Sequence, residues 1–85
     1  MSDVNETLTV RETTYGDFRH VAYTAQELKK ALSTGKSYDM HTSPFQREAI
    51  DMICSKLARI VNGDPDYKDS WHDIAGYAKL VEDRL

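Results

Sequence analysis

Hydrophobic positions along most of this chain recur every three to four residues, the spacing of one face of an α-helix. The clearest case is the stretch 43–63, where Phe45, Ala49, Met52, Ile53, Leu57 and Ile60 share a helical period. Its ends are marked as well. Ser43 is a suitable N-cap, Pro44 suits the first helical position, and Gln46 completes an S-x-x-Q capping box. Gly63, followed by Asp64-Pro65, is a stop signal, read here as a left-handed residue past the last turn. A second helix is predicted from Phe18 to near Gly35, with Val21, Ala22, Ala25, Leu28 and Leu32 on one side and Asp17 as its cap. Thr24 and Glu27 form a competing T-x-x-E start signal, but the apolar period crosses it without a phase change, so one continuous helix is expected. A further helix, capped by Asp69 or Ser70, would bury Trp71, Ile74, Ala75, Ala78, Val81 and Leu85. Gly76 within it costs about 0.5 to 1 kcal/mol relative to alanine, which a close approach to another backbone would offset.

Residues 1–14 follow no helical period and are rich in threonine, with Leu8 and Val10 alternating with polar neighbours. They read as an extended N-terminal arm ahead of a single domain, 15–85. The expected fold is all-α, a three-helix bundle packed around Phe18, Leu28, Phe45, Met52, Ile53, Ile60, Trp71, Ile74 and Val81.

Length changes this picture. A chain of 85 residues buries a smaller fraction of its surface than a larger protein, so self-association is expected, through the arm or the small residues Ala75 and Gly76. The single cysteine, Cys54, rules out an internal disulfide framework and fits a reducing compartment as a small, half-buried hydrophobe. A net charge of −3 argues against sequence-independent binding to duplex nucleic acid, which relies on clustered Lys and Arg. There is no apolar run of membrane-spanning length and no signal-peptide layout at the N-terminus, so a soluble, cytoplasmic protein is expected.

Candidate chemistry clusters beside the apolar stripes. Lys56 and Arg59 lie on one flank of the central helix, and Asp73 and Tyr77 border the stripe of the last one. With Tyr15 and Asp17 from the Tyr-Gly turn they form the candidate ligand-binding set, either an interhelical ion-pair network or a site for an anionic ligand. Glu48 and Asp51 on one helix and Asp69 and Asp73 on another are a candidate set for Mg2+, a hard cation that takes oxygen ligands. The helix macrodipole alone accounts for acids at positions 69 and 73. His20, His41 and His72 lack zinc-site spacing, and no catalytic triad, phosphate loop or dinucleotide fingerprint occurs. No catalytic residue is assigned, and enzymatic activity stays open.

Tyr15-Gly16-Asp17-Phe18, then Gln46, Glu48, Ala49, Met52 and Ile53, Lys56 with Ala58-Arg59-Ile60, and Trp71 with Asp73-Ile74-Ala75-Gly76-Tyr77-Ala78, together resemble a family of small tailed-phage and prophage proteins whose domain has no assigned function. The order Tyr-Gly, K-x-x-R-I, D-I-x-x-Y is also similar to a larger phage domain associated with nucleotide modification. Helical MazG-like pyrophosphohydrolases are resembled more distantly: E-x-x-D and D-x-x-x-D stand here where those carry E-x-x-E and E-x-x-D. The first resemblance implies a phage or prophage accessory protein that acts by binding a host or phage protein or itself. The others imply, as the alternative, nucleotide-phosphate binding or Mg2+-dependent pyrophosphohydrolase-like activity.

Overall fold

A long helix, α3 (Pro44–Asn62), runs through the middle of the molecule, and its N-terminus is built as its sequence implies. In the computed structural model, which describes residues 4–85, the Ser43 hydroxyl accepts from the Gln46 amide at 3.4 Å, and the Gln46 side chain accepts from the Ser43 amide at 2.8 Å, with Pro44 opening the helix. On either side lie α2 (Phe18–Leu32) and α4 (Lys68–Glu82). α2 is one continuous helix capped by Asp17, which accepts from the Arg19 amide at 3.1 Å. α4 begins two to three residues earlier than expected, with Lys68 as its first residue. Tyr67 is its N-cap and makes no side-chain capping bond, because Asp69, the expected cap, already lies inside the first turn.

The described residues form four helices rather than three, so the fold is all-α but the extended arm is a misreading. Val4–Tyr15 is a helix, α1. Its threonines turn inward on their own backbone: Thr9 Oγ1 donates to the Asn5 carbonyl at 3.0 Å and Thr13 Oγ1 to the Thr9 carbonyl at 3.2 Å. These bonds satisfy the hydroxyls within the helix. No apolar stripe marked it because it has almost nothing to bury; none of its residues is buried. Residues 1–3 of the expected arm lie outside the described part.

α1 is tied down at its C-terminal end, where two backbones meet. The Asp64 amide donates to the Thr14 carbonyl at 2.8 Å. Gly16 takes φ +92°, and a Cβ on it would collide with the Asn62 backbone. A Cβ on Gly63 would collide with the backbone of Thr14 to Gly16. Gly63 is therefore required for space. Its φ of −124° is not the left-handed cap expected of it. Gly76, by contrast, faces open space, and no backbone approaches it.

Three of the helices, α2, α3 and α4, form a single layer. α2 and α4 each pack along α3 and make no contact with each other. On a wheel at 100° per residue, Ala58 and Asn62 point to α2, where Asn62 Nδ2 donates to Thr24 Oγ1 at 3.0 Å. Ala49, Lys56 and Ile60 point to α4, roughly 180° away. With no enclosed centre for large side chains to share, what is excluded from solvent is mainly the small residues at the two helix contacts: Ala25, Ala49, Cys54, Ala58 and Ser70, with Ile60. Of the expected core, Leu28, Met52, Ile53, Ile74 and Val81 are half-buried. Phe18, Phe45 and Trp71 are corrections, at 82%, 40% and 52% exposure. Trp71 instead lies against the loop before α4, its indole N–H donating to the Pro65 carbonyl at 2.8 Å.

Candidate functional site

The side of α3 between its two packed flanks differs from one face of the layer to the other. On one face the wheel places Glu48, Met52, Ser55 and Arg59; on the opposite face it places Ile50, Leu57 and Val61, with no charge among them. The polar face carries most of the residues singled out in the sequence, and the fold distributes them over two separate places.

The first is the seam between α3 and α4. Lys56 Nζ meets Asp73 Oδ2 at 3.0 Å, with the lysine side chain 14% exposed and the aspartate 43%. The methylenes of Lys56 lie along the helix contact while its ammonium reaches the edge. Tyr77, one turn beyond Asp73, is half-buried and lines a groove of about 260 Å³ with Phe45, Ala49, Leu80 and Val81, flanked by Glu48 and Arg84. Large apolar side chains dominate this groove.

The second lies at the junction of α1 and α3. Arg59 is only one turn from Lys56, but it points to α1, where its guanidinium stands 5.1 Å from the centroid of the Tyr15 ring. Arg11, four residues before Tyr15, stands 4.9 Å from the same centroid. The Tyr67 ring meets Tyr15 edge-on at 5.6 Å. Hydrogen bonding to the Tyr15 side chain, the proximity of that phenol and the Asp69 carboxylate push the Tyr67 hydroxyl up to about 12. Tyr67 Oη donates to Asp69 Oδ2 at 3.3 Å. Asp17 caps α2, with its other oxygen 4.0 Å from His20 Nδ1, and borders the same groove as Tyr15 and Arg59. The six candidate residues therefore fall into two groups, Lys56, Asp73 and Tyr77 at the α3–α4 seam and Tyr15, Asp17 and Arg59 beside α1, and they do not form one cluster.

The four carboxylates considered for Mg2+ are not brought together. Asp73 is paired with Lys56 and Asp69 with Tyr67, while Glu48 and Asp51 border one surface pocket with Arg47 and Thr42, Glu48 also flanking the Phe45 groove. Among the described residues, no group of three His, Cys, Asp or Glu side chains is placed to hold a metal ion. Cys54 is buried more deeply than expected. Burial raises its thiol pKa above the usual value, and Asp51 adds to the effect while Lys29 opposes it.

Two features escaped the sequence reading. Arg47 holds the connector 33–43, donating to the Tyr38 carbonyl and to Thr42 Oγ1 at 3.2 Å, with its guanidinium 4.4 Å from the centre of the Tyr38 ring. Only the fold could bring these together. The Arg11–Tyr15 contact did have a signal, the i,i+4 spacing, which is legible once residues 4–15 are read as a helix.

A family model described as a domain of unknown function, DUF6378, matches residues 1–84. No curated protein and no solved structure matches the chain.

Proposed function

The chain belongs to the family described as domain of unknown function DUF6378, whose model spans all four helices, and on that premise we propose that it acts by binding, as a self-associating helical module. One observation carries this reading: α2 and α4 cover opposite sides of α3 without touching, so the Ile50, Leu57 and Val61 side of the central helix is only partly covered by its own chain, with Ile50 and Leu57 half-buried and Val61 exposed. Val61 is 70% exposed, and on a helical wheel Trp71, at 52% exposure, lies on the flank of α4 turned the same way.

The occupant we infer for this face is a second copy of the chain. The accessible surface is 6516 Å², whereas a compact monomer of this mass exposes about 5,100 Å². The excess, about 1,400 Å², exceeds the roughly 800 Å² per partner that a standard stable interface covers. Part of it belongs to α1, which buries no residue. The radius of gyration, 14.6 Å, is likewise above the roughly 12 Å of a compact domain of this length. The uncharged α3 surface also suits self-pairing, because two copies of net charge −3 can meet there without opposing like charges.

A phage or prophage setting is part of the same proposal and rests on the motif resemblance. No described helix is long and apolar enough to cross a membrane. Sedimentation equilibrium of the full chain over a wide concentration range tests the reading. A monomer–dimer equilibrium is expected, and a strictly monomeric species at high micromolar concentration would overturn it.

A further inference from the structure

The opposite face of the layer carries a groove of about 550 Å³ between α1 and α2, floored by α3. Its size falls within the range of small-molecule sites. Two kinds of group line it. Arg11, Lys29 and Arg59 bring positive charge from three different helices, while Leu8, Phe18 and Ala22 supply an apolar wall. Glu12 and Asp17 also line it, so three cations stand against two carboxylates within a chain that is acidic as a whole. Asp17 is already engaged as the cap of α2.

The cations are placed as an anion would need them. The ion pairs formed among the described residues lie elsewhere, at Lys56, Lys79, Arg47 and His20, and none involves Arg11, Lys29 or Arg59. Arg11 and Arg59 are oriented by the Tyr15 ring, and a guanidinium resting on an aromatic ring keeps its N–H edge available to an oxyanion. Lys29 is half-buried, which limits the water available to its ammonium. The apolar wall is equally unsatisfied: Phe18 is 82% exposed and Leu8 56%.

We propose that this groove binds a small oxyanion, a phosphate or carboxylate, carried on a flat apolar body. The oxyanion meets Arg11, Arg59 and Lys29, and the body lies against Phe18 and Leu8. The uncharged face proposed for self-association lies on the other side of α3, so the two readings stand or fall separately.

Titration of the full chain with phenyl phosphate, benzoate, inorganic phosphate and benzyl alcohol, followed by amide chemical shifts, tests the proposal. Saturable shifts are expected at Arg11, Tyr15, Lys29 and Arg59. Phenyl phosphate or benzoate should bind about tenfold tighter than inorganic phosphate, because the ring covers exposed apolar surface. Whichever of the two binds better identifies the oxyanion. Lys29→Gln should weaken binding about tenfold through loss of a charge-assisted hydrogen bond. Phe18→Ala should weaken phenyl phosphate and leave inorganic phosphate unchanged, and since Phe18 is largely exposed the fold should persist. The proposal is overturned if neither aromatic anion saturates, if benzyl alcohol binds as well as they do, or if Lys29→Gln and Arg59→Gln both leave affinity unchanged in a folded protein.

Discussion

Replacing Val61 by glutamate should separate the two copies while leaving each one folded. Val61 is 70% exposed in the single chain, so the new carboxylate can remain in water there. Its cost to the monomer is that of an acid in the last turn of α3, about 0.3 to 1 kcal/mol against the helix dipole. In the dimer the same side chain would be enclosed. Covering the exposed fraction of a valine contributes about 1 to 2 kcal/mol per copy, and enclosing an unpaired carboxylate costs several more. A conservative total of about 3 kcal/mol per copy, counted twice by symmetry, weakens association by about four orders of magnitude. Sedimentation equilibrium reads the mass, and circular dichroism reads the helix content. Val61→Lys serves as a control, because a cation suits a helix C-terminus and should nevertheless dissociate the dimer. The reasoning fails if the wild type is a dimer and both variants remain dimers of unchanged affinity, since the interface would then lie elsewhere, with α1 the next surface to delete.

Three further outcomes follow from the packing. Gly76→Ala should raise stability by about 0.5 to 1 kcal/mol, because its added methyl meets nothing, whereas Gly63→Ala should destabilise by more than that and loosen α1; urea unfolding measures both. Lys56→Met should change stability by less than about 1 kcal/mol, because its methylenes already pack and Asp73 is part-exposed, while Asp73→Ala should cost more, about 1 to 2 kcal/mol, by stranding a lysine side chain that is only 14% exposed. Stability should also fall in alkali. Cys54 and Tyr67 both ionise with more difficulty when folded, so their contribution is complete below their unfolded values, 9.0 and 10.0, and is lost as pH rises through the folded ones, about 12 for Tyr67. Urea midpoints that do not decline between about pH 8 and pH 11 would contradict this.

Local chemistry was legible in the sequence because it is written in adjacent residues. Ser43, Pro44 and Gln46 fixed the start of α3, Asp17 the start of α2, and the unbroken apolar period the continuity of α2 past Thr24. The all-α class followed from that period. α1 was missed for the same reason that it is peripheral: a helix that buries nothing has no stripe to read, and its threonine bonding is invisible until the backbone is helical. An ion pair from Asp73 to Lys56 or Arg59 was legible as one option, and the structure forms it with Lys56, since positions beside two facing stripes are brought together wherever the stripes pack.

The tertiary structure alone decided how the stripes are used. Apolar residues on a helix specify that something must cover them, without saying whether the cover is a neighbouring helix or another molecule. With α2 and α4 on opposite flanks of α3, small residues line the contacts, Phe18, Phe45 and Trp71 are left in solvent, and Arg59 is turned from Lys56 toward Tyr15. A periodic pattern fixes directions around one axis, and the angle between two axes comes from packing that no single helix encodes.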